Sequence, residues 1–279
     1  MSNEQGPVAV ITGAASGIGR GLAQHAAGLG MRLVLADRDA AGLDALCEQL
    51  NRDGGRAIAC VTDVGDVQQV ERLRDRAVEA FGGVDLLFNN AGVMQTGFSW
   101  EISDAQWQRM LDVNLGGVIN GIRTFMPLLL SQGRVTHVVN TASLAGIVSS
   151  PLMAPYNVTK QAVVALTETL HYELAMLGSQ VSVSVLCPGP VASEIMASDQ
   201  VANTAGSSFN QLLDSTIRQG MTPAELATQV FAAIEQKRFW ILPHKGFKPA
   251  LERRVHSILQ ETNPQFQMTD VEDDAHAAR

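Results

Sequence analysis

The feature that most constrains this chain is an alternation. Short β-branched, apolar runs recur from Val8 to Leu186, separated by longer stretches with helical spacing. Val8–Thr12, Arg32–Ala36, Ala57–Val61, Asp85–Phe88, Val135–Asn140 and Val181–Leu186 read as strands, and Phe239–Leu242 as a last one. They are apolar on both faces, as strands buried between two helical layers must be. Ile18–Leu29, Ala40–Arg52, Val67–Phe81, Asp104–Leu130 and Pro155–Leu177 read as the intervening helices, with Leu22, Ala26 and Leu29 on one side of the first. Thr222–Gln236 opens with an N-cap threonine, a proline at the first helical position and a capping-box Glu225. Repeated β–helix–β units force a parallel sheet with right-handed crossovers, and ligands then bind beyond the carboxyl ends of its strands.

Between the first strand and the first helix lies Thr12-Gly13-Ala14-Ala15-Ser16-Gly17-Ile18-Gly19. A dinucleotide loop needs one glycine for the tight turn, one for approach of the backbone to the pyrophosphate and one for close packing of helix on strand. The helix start at Ile18 then offers free N–H groups and a positive dipole end to the phosphates. An ordinary glycine-rich turn could look the same, but the strand–loop–helix setting favours the dinucleotide reading. Asp37 ends the second strand 18 residues after Gly19, near the ~20 expected of the acid that binds the adenosine ribose. Its carboxylate repels a 2′-phosphate and favours NAD over NADP. Arg38 pulls the other way, because a guanidinium can clamp a phosphate, although it also reads as a solvated residue over the adenine. Ser16 is neutral. The expected fold is therefore α/β, a Rossmann-type doubly wound parallel sheet in three αβα layers, with residues 1–279 as a single domain.

Composition excludes several classes. The chain has 20 basic and 28 acidic residues and no basic run, which argues against a nucleic-acid or anionic-membrane surface. Cys47, Cys60 and Cys187 share no CxxC spacing and the six histidines are scattered, so neither a disulfide framework nor a metal site is expected. Residues 1–7 lack the marks of a signal peptide, and no run of ~18 consecutive apolar residues occurs. A cytoplasmic protein is expected.

Tyr156 and Lys160 stand four residues apart within the helical stretch Pro155–Leu177, so they share a helix face. Tyrosine has an ordinary pKa of roughly 10, and bringing it to about 7 requires on the order of 4 kcal/mol of preference for phenolate. A cation at ~4 Å supplies about that much at an effective dielectric near 20. The second tyrosine, Tyr172, has Met176 in the equivalent place and cannot be tuned this way.

The glycine loop, Asn89-Asn90-Ala91-Gly92, Ser143, Tyr156-Asn157-Val158-Thr159-Lys160 and Pro188-Gly189 occur in that order. Each is weak alone, and together they make the chain resemble the short-chain dehydrogenase/reductases from about Val8 to Ser193. The resemblance implies roles. Ser143 would stabilise the substrate oxygen as charge develops, and Tyr156 would take or give the alcohol proton. Lys160 would hold the nicotinamide ribose beside Tyr156 and tune it, and Asn114 would hold a water in the proton relay. Asp63 and Val64 would flank the adenine, and Asn90, Val191 and Ser193 would also touch the cofactor. Ser143 could instead be a strand-end turn residue, Asn114 a helix-interior polar group and Asp63 a helix start. The resemblance also implies a dimer or tetramer built through Asp104–Leu130 and Pro155–Leu177.

Met94, Gln95, Leu144, Ala145, Met153 and the segment after Ser193 are expected to line the substrate pocket. Their apolar character suggests a hydrophobic or aromatic secondary alcohol, or its ketone. Asn114-Leu115-Gly116-Gly117-Val118-Ile119-Asn120-Gly121 and Phe239-Trp240-Ile241-Leu242-Pro243 are similar to a subgroup that includes oxidisers of benzylic alcohols. Reduction of a 3-ketoacyl thioester is the runner-up, which a basic patch near the pocket would favour, and a non-catalytic dinucleotide sensor is the rival of another class. The polar stretch 193–220, with isolated Met196, Phe209, Leu212 and Leu213, reads as a lid without regular structure. The end, about 266–279, reads as a frayed tail.

Overall fold

The computed structural model describes residues 6–196 and 204–267. Among them are seven strands: β1 (Val8–Thr12), β2 (Arg32–Asp37), β3 (Arg56–Val61), β4 (Leu86–Asn89), β5 (Thr136–Thr141), β6 (Val181–Leu186) and β7 (Trp240–Ile241). All pair in parallel in the order β3-β2-β1-β4-β5-β6-β7. The chain leaves β1 toward β2 and β3 and then returns past β1 to β4. The strand order therefore reverses between β1 and β4, and a crevice opens beyond their carboxyl ends.

Successive residues of a strand face opposite helical layers. Ala9 and Ile11 meet α1 (Gly17–Gly28), α2 (Ala40–Arg52) and α8 (Pro223–Glu235) through Leu22, Leu43 and Val230. Val10 meets α3 (Val67–Phe81), α5 (Gly117–Ser131) and α6 (Ala154–Met176) through Leu73, Phe125 and Leu170. Both faces are thus buried, which explains the absence of period-two alternation in the strands. Thr222 and Glu225 form the capping box of α8.

Three elements differ from expectation. The helix read as Asp104–Leu130 is α4 (Asp104–Met110), then a π turn (Leu111–Gly116), then α5. This helical run, Asp104–Ser131, is long and apolar enough to cross a membrane by length and composition alone, with a mean hydropathy of 1.2. Its buried Asn114 and Thr124 and its packing on α3 and α6 make it a core helix here. The stretch 193–220 is not without regular structure, because it carries α7 (Thr204–Arg218). Phe209, Leu213 and Ile217 recur every four residues and bury one face of α7 against Met94, Met153 and Tyr156, while Asp214 pairs with Arg218 at 2.8 Å on another. The part of that segment at 197–203 lies outside the described residues, as does 268–279 of the proposed tail. Finally, α9 (Lys248–Leu259) follows β7.

A buried chain of hydrogen bonds ties the far strands together. The Ser184 hydroxyl donates to the Arg238 carbonyl at 2.6 Å, so it can only accept from His137 Nε2 at 2.7 Å. His137 is thereby fixed as the neutral Nε2–H tautomer, and burial, aided by Lys237, holds its pKa down at about 4. The unfolded chain takes up a proton near pH 6.5 and the folded one only near 4, so stability falls as pH drops through that window. The loss is expected to reach on the order of 3 kcal/mol. Urea denaturation at pH 7 and 4.5 should show it in the parent, and a markedly smaller loss in His137→Gln.

Candidate active site

The glycine loop is shaped by contact with its neighbours. Gly13 has φ +67°, and a Cβ there would come within 2.8 Å of the Ala91 Cα. A Cβ on Gly19 would meet the Gly13 carbonyl oxygen at 1.9 Å, so α1 packs on β1 only because that residue is glycine. Ser16 is the N-cap of α1, and its side chain makes no capping hydrogen bond. The loop is held from both sides of the crevice. Asp37 accepts the Ala15 N–H at 3.0 Å through Oδ2 and the Asp39 N–H at 3.1 Å through Oδ1. Across the crevice Thr12 Oγ1 accepts the Asn90 and Ala91 N–H groups at 2.9 and 3.1 Å, and Asn90 Nδ2 donates to the Thr12 carbonyl at 3.0 Å.

A cavity of about 700 Å³ runs from this loop across the carboxyl ends of the strands. Every residue predicted for the cofactor and the chemistry lines it except Gly19 and Asn114, which stand behind its wall. Asp63 shapes its own loop by accepting the Gly65 N–H at 2.9 Å, and Asp66, not Asp63, caps α3. Val64 lies against Gly117 at the start of α5. Ser193 closes over Gly17, where a Cβ would lie 3.1 Å from its own, and Val191 is bridged to Met221. Met94, Leu144, Ala145 and Met153 line the other end as expected, whereas Gln95 is not part of the wall.

At that end the Ser143 hydroxyl accepts the Ala145 N–H at 3.2 Å at the start of a 3-10 turn, Leu144–Gly146. Lys160 Nζ donates to the Thr141 carbonyl at 2.9 Å and lies 5.6 Å from the centre of the Tyr156 ring. The Asn114 amide reaches beyond its own helical run, where its contact is from Nδ2 to Met110 Sδ at 3.9 Å. It accepts the Val93 N–H at 2.8 Å and donates to the Val93 carbonyl at 2.9 Å, tying the π turn to the loop after β4.

The electrostatics correct one expectation. Burial dominates both members of the pair: it pushes Tyr156 up to about 12, against a downward pull from the Ser143 hydroxyl, and brings Lys160 down to about 8. Lys160 alone therefore does not make Tyr156 a base, because the same desolvation that would strengthen their attraction penalises each charge first. Burial likewise pushes the neighbouring Cys187 thiol up to about 12, so it stays neutral.

Sequence reasoning missed the cavity's outer wall. Phe247, Ala250, Arg254 and Ser257 of the α9 region line the catalytic end together with Pro264 and Phe266. Their spacing of three and four, and Pro249 in the first turn, were the signals available. This cap is joined to the site through His244, which is 2% exposed. His244 Nδ1 accepts the Gly189 N–H and Nε2 donates to the Pro190 carbonyl, both at 3.0 Å. Burial holds its pKa down, in keeping with the neutral ring this arrangement needs.

The family model for short chain dehydrogenases matches residues 7–203. This chain belongs to the short-chain dehydrogenase/reductase family. A short-chain dehydrogenase/reductase from Burkholderia phymatum, solved in complex with NAD, is 41% identical, covers 96% of this chain and 99% of its own, and superposes with a TM-score of 0.91. The C alpha-dehydrogenase of a Sphingobium strain is 31% identical over 95% of this chain and 89% of its own length. The 1-deoxy-11-beta-hydroxypentalenate dehydrogenase of Streptomyces exfoliatus is 33% identical over 90% and 87%. Within this family the chain is an oxidoreductase enzyme.

The burial of Tyr156 is directly measurable, because the chain has just two tyrosines and Tyr172 is 63% exposed. In the Tyr172→Phe variant, ultraviolet difference spectra should show no phenolate at pH 10, where an ordinary tyrosine is half ionised. Appreciable ionisation at that pH would contradict the assigned environment.

Proposed function

We propose that this enzyme moves a hydride between a nicotinamide cofactor and a secondary alcohol or its ketone, with Tyr156 as the proton carrier. The observation that carries the reading is the single cavity joining Asp37 and the glycine loop to Ser143, Tyr156 and Lys160. The position of Gly13 and Gly19 leaves room for a pyrophosphate, and Asp37 fits the adenosine ribose of NAD better than the phosphorylated ribose of NADP. When bound, oxidised nicotinamide supplies the hydride acceptor and a positive charge. In alcohol oxidation Tyr156 takes the hydroxyl proton, and Ser143 donates a hydrogen bond to the same oxygen. Lys160 holds the ribose of the cofactor, and Asn114 keeps the π turn and the Val93 loop in register beneath it. Met94, Leu144 and Met153 exclude water and suit a hydrophobic or aromatic substrate. The NAD complex of the Burkholderia relative supports the cofactor, and the presence of Ser143, Tyr156, Lys160 and Asn114 together favours an enzyme over a non-catalytic sensor. The exposed Val158, Tyr172 and Met176 along α6 support assembly through that helix as a dimer or tetramer.

Screening secondary alcohols for NADH formation tests the reaction class. Tyr156→Phe should lower turnover by roughly 10²–10⁴-fold while leaving NAD binding intact, and near-normal turnover by a folded variant would overturn the role. Cofactor choice is checked by titrating both dinucleotides into the protein. NAD should bind several-fold more tightly than NADP, and Asp37→Ala should narrow the gap, with Arg38 left to meet the phosphate.

A further inference from the structure

The cavity wall carries the acids Asp37, Asp39, Asp63 and Glu194 and the basic residues Arg38, Arg109, Lys160, Arg253 and Arg254. Asp37 stands at the glycine loop, Arg253 and Arg254 come from the cap, and Glu194 lies in the field of Arg218. Arg254 is half-buried. Its guanidinium donates through Nη1 to the Ile147 carbonyl and through Nη2 to Gln161 Oε1 at 3.3 Å. Both acceptors are neutral, and no carboxylate among the described residues forms an ion pair with it. A guanidinium carries five N–H donors and keeps its charge. Holding such a cation half out of water without a counter-charge is costly, and on the wall of a substrate cavity it creates a place for an anion.

The position is defined by the fold. Ile147 directly follows the 3-10 turn Leu144–Gly146 that begins at Ser143. Four residues rising about 2 Å each put the Arg254 anchor about 8 Å from the Ser143 backbone. Leu144, Ala145, Val148 and Phe247 line the same cavity. This arrangement fits a molecule with its alcohol at Tyr156, an apolar body and an anionic oxygen group at the far end.

Resting on the proposed alcohol oxidation, we infer that the substrate carries a carboxylate at the far end of its apolar body, received by Arg254 of α9. A guanidinium meets a planar oxyanion with paired, charge-assisted hydrogen bonds.

The test compares 4-(1-hydroxyethyl)benzoate with its methyl ester, each with NAD. The anion should raise kcat/KM at least tenfold over its neutral partner. In Arg254→Gln that preference should shrink to within about threefold, read as the ratio of the two substrates and not as either activity alone. Because Arg254 also anchors the cap, damage to packing would lower both members of the pair together and leave the ratio unchanged. A ratio near one in the parent enzyme, or a preference that survives Arg254→Gln, overturns the inference. In that case Tyr156-dependent oxidation of the neutral alcohol would leave the proposed function standing. Failure to oxidise either compound would instead count against the reaction class as well.

Discussion

The hydrogen bonds between Thr12 and the Asn90-Ala91 turn hold the rest of the site in place. Parallel strands leave their carboxyl ends unpaired, and at the point where strand order reverses nothing in the sheet itself fixes the two diverging loops. The Thr12 side chain accepts two backbone N–H groups from across the crevice and donates to the Phe88 carbonyl. Asn90 returns a bond to the Thr12 carbonyl and accepts from Thr141 Oγ1 at 3.3 Å. The clamp therefore reaches from β1 through β4 to the end of β5, where the Thr141 carbonyl in turn receives Lys160. The glycine loop and the lysine of the chemical pair belong to one connected network.

Burial sets the chemistry at the other end. Tyr156 and Lys160 are both taken out of water, and desolvation works against the charged form of each. A neutral phenol held ready but not ionised suits a site whose positive charge arrives with oxidised nicotinamide and leaves with the reduced form. In the proposed alcohol oxidation the pair would gain its basicity only with oxidised nicotinamide in place. Ser143 is the neighbour that already pulls Tyr156 in the useful direction.

The cap completes the cavity from a part of the chain that the motifs do not reach. It follows β7 and is pinned at two places: His244 grips Gly189 and Pro190, and Arg254 grips Ile147. Both grips fall on loops that carry chemical residues, the turn before Val191 and the turn after Ser143. The cap wall is thus built onto the loops that carry Ser143 and Val191, and it adds Arg253, Arg254 and Ser257 to a largely apolar lining.

What the sequence by itself determined was everything that repeats or has a fixed local spacing. Strands buried on both faces, the glycine loop, Asp37 at a strand end and the i, i+4 pair of Tyr156 and Lys160 are local patterns, and the sheet they imply is the one observed. The stripe Phe209, Leu213 and Ile217 was equally local, but polar neighbours hid it and α7 was read as a loop. Only the tertiary structure decided the rest. Asn114 in the π turn is tied to Val93, 21 residues away, and Arg254 joins the site by bonding Ile147, 107 residues away. The ionisation of Tyr156 depends on how much water the whole fold removes, a sum over distant residues that no spacing of four can express.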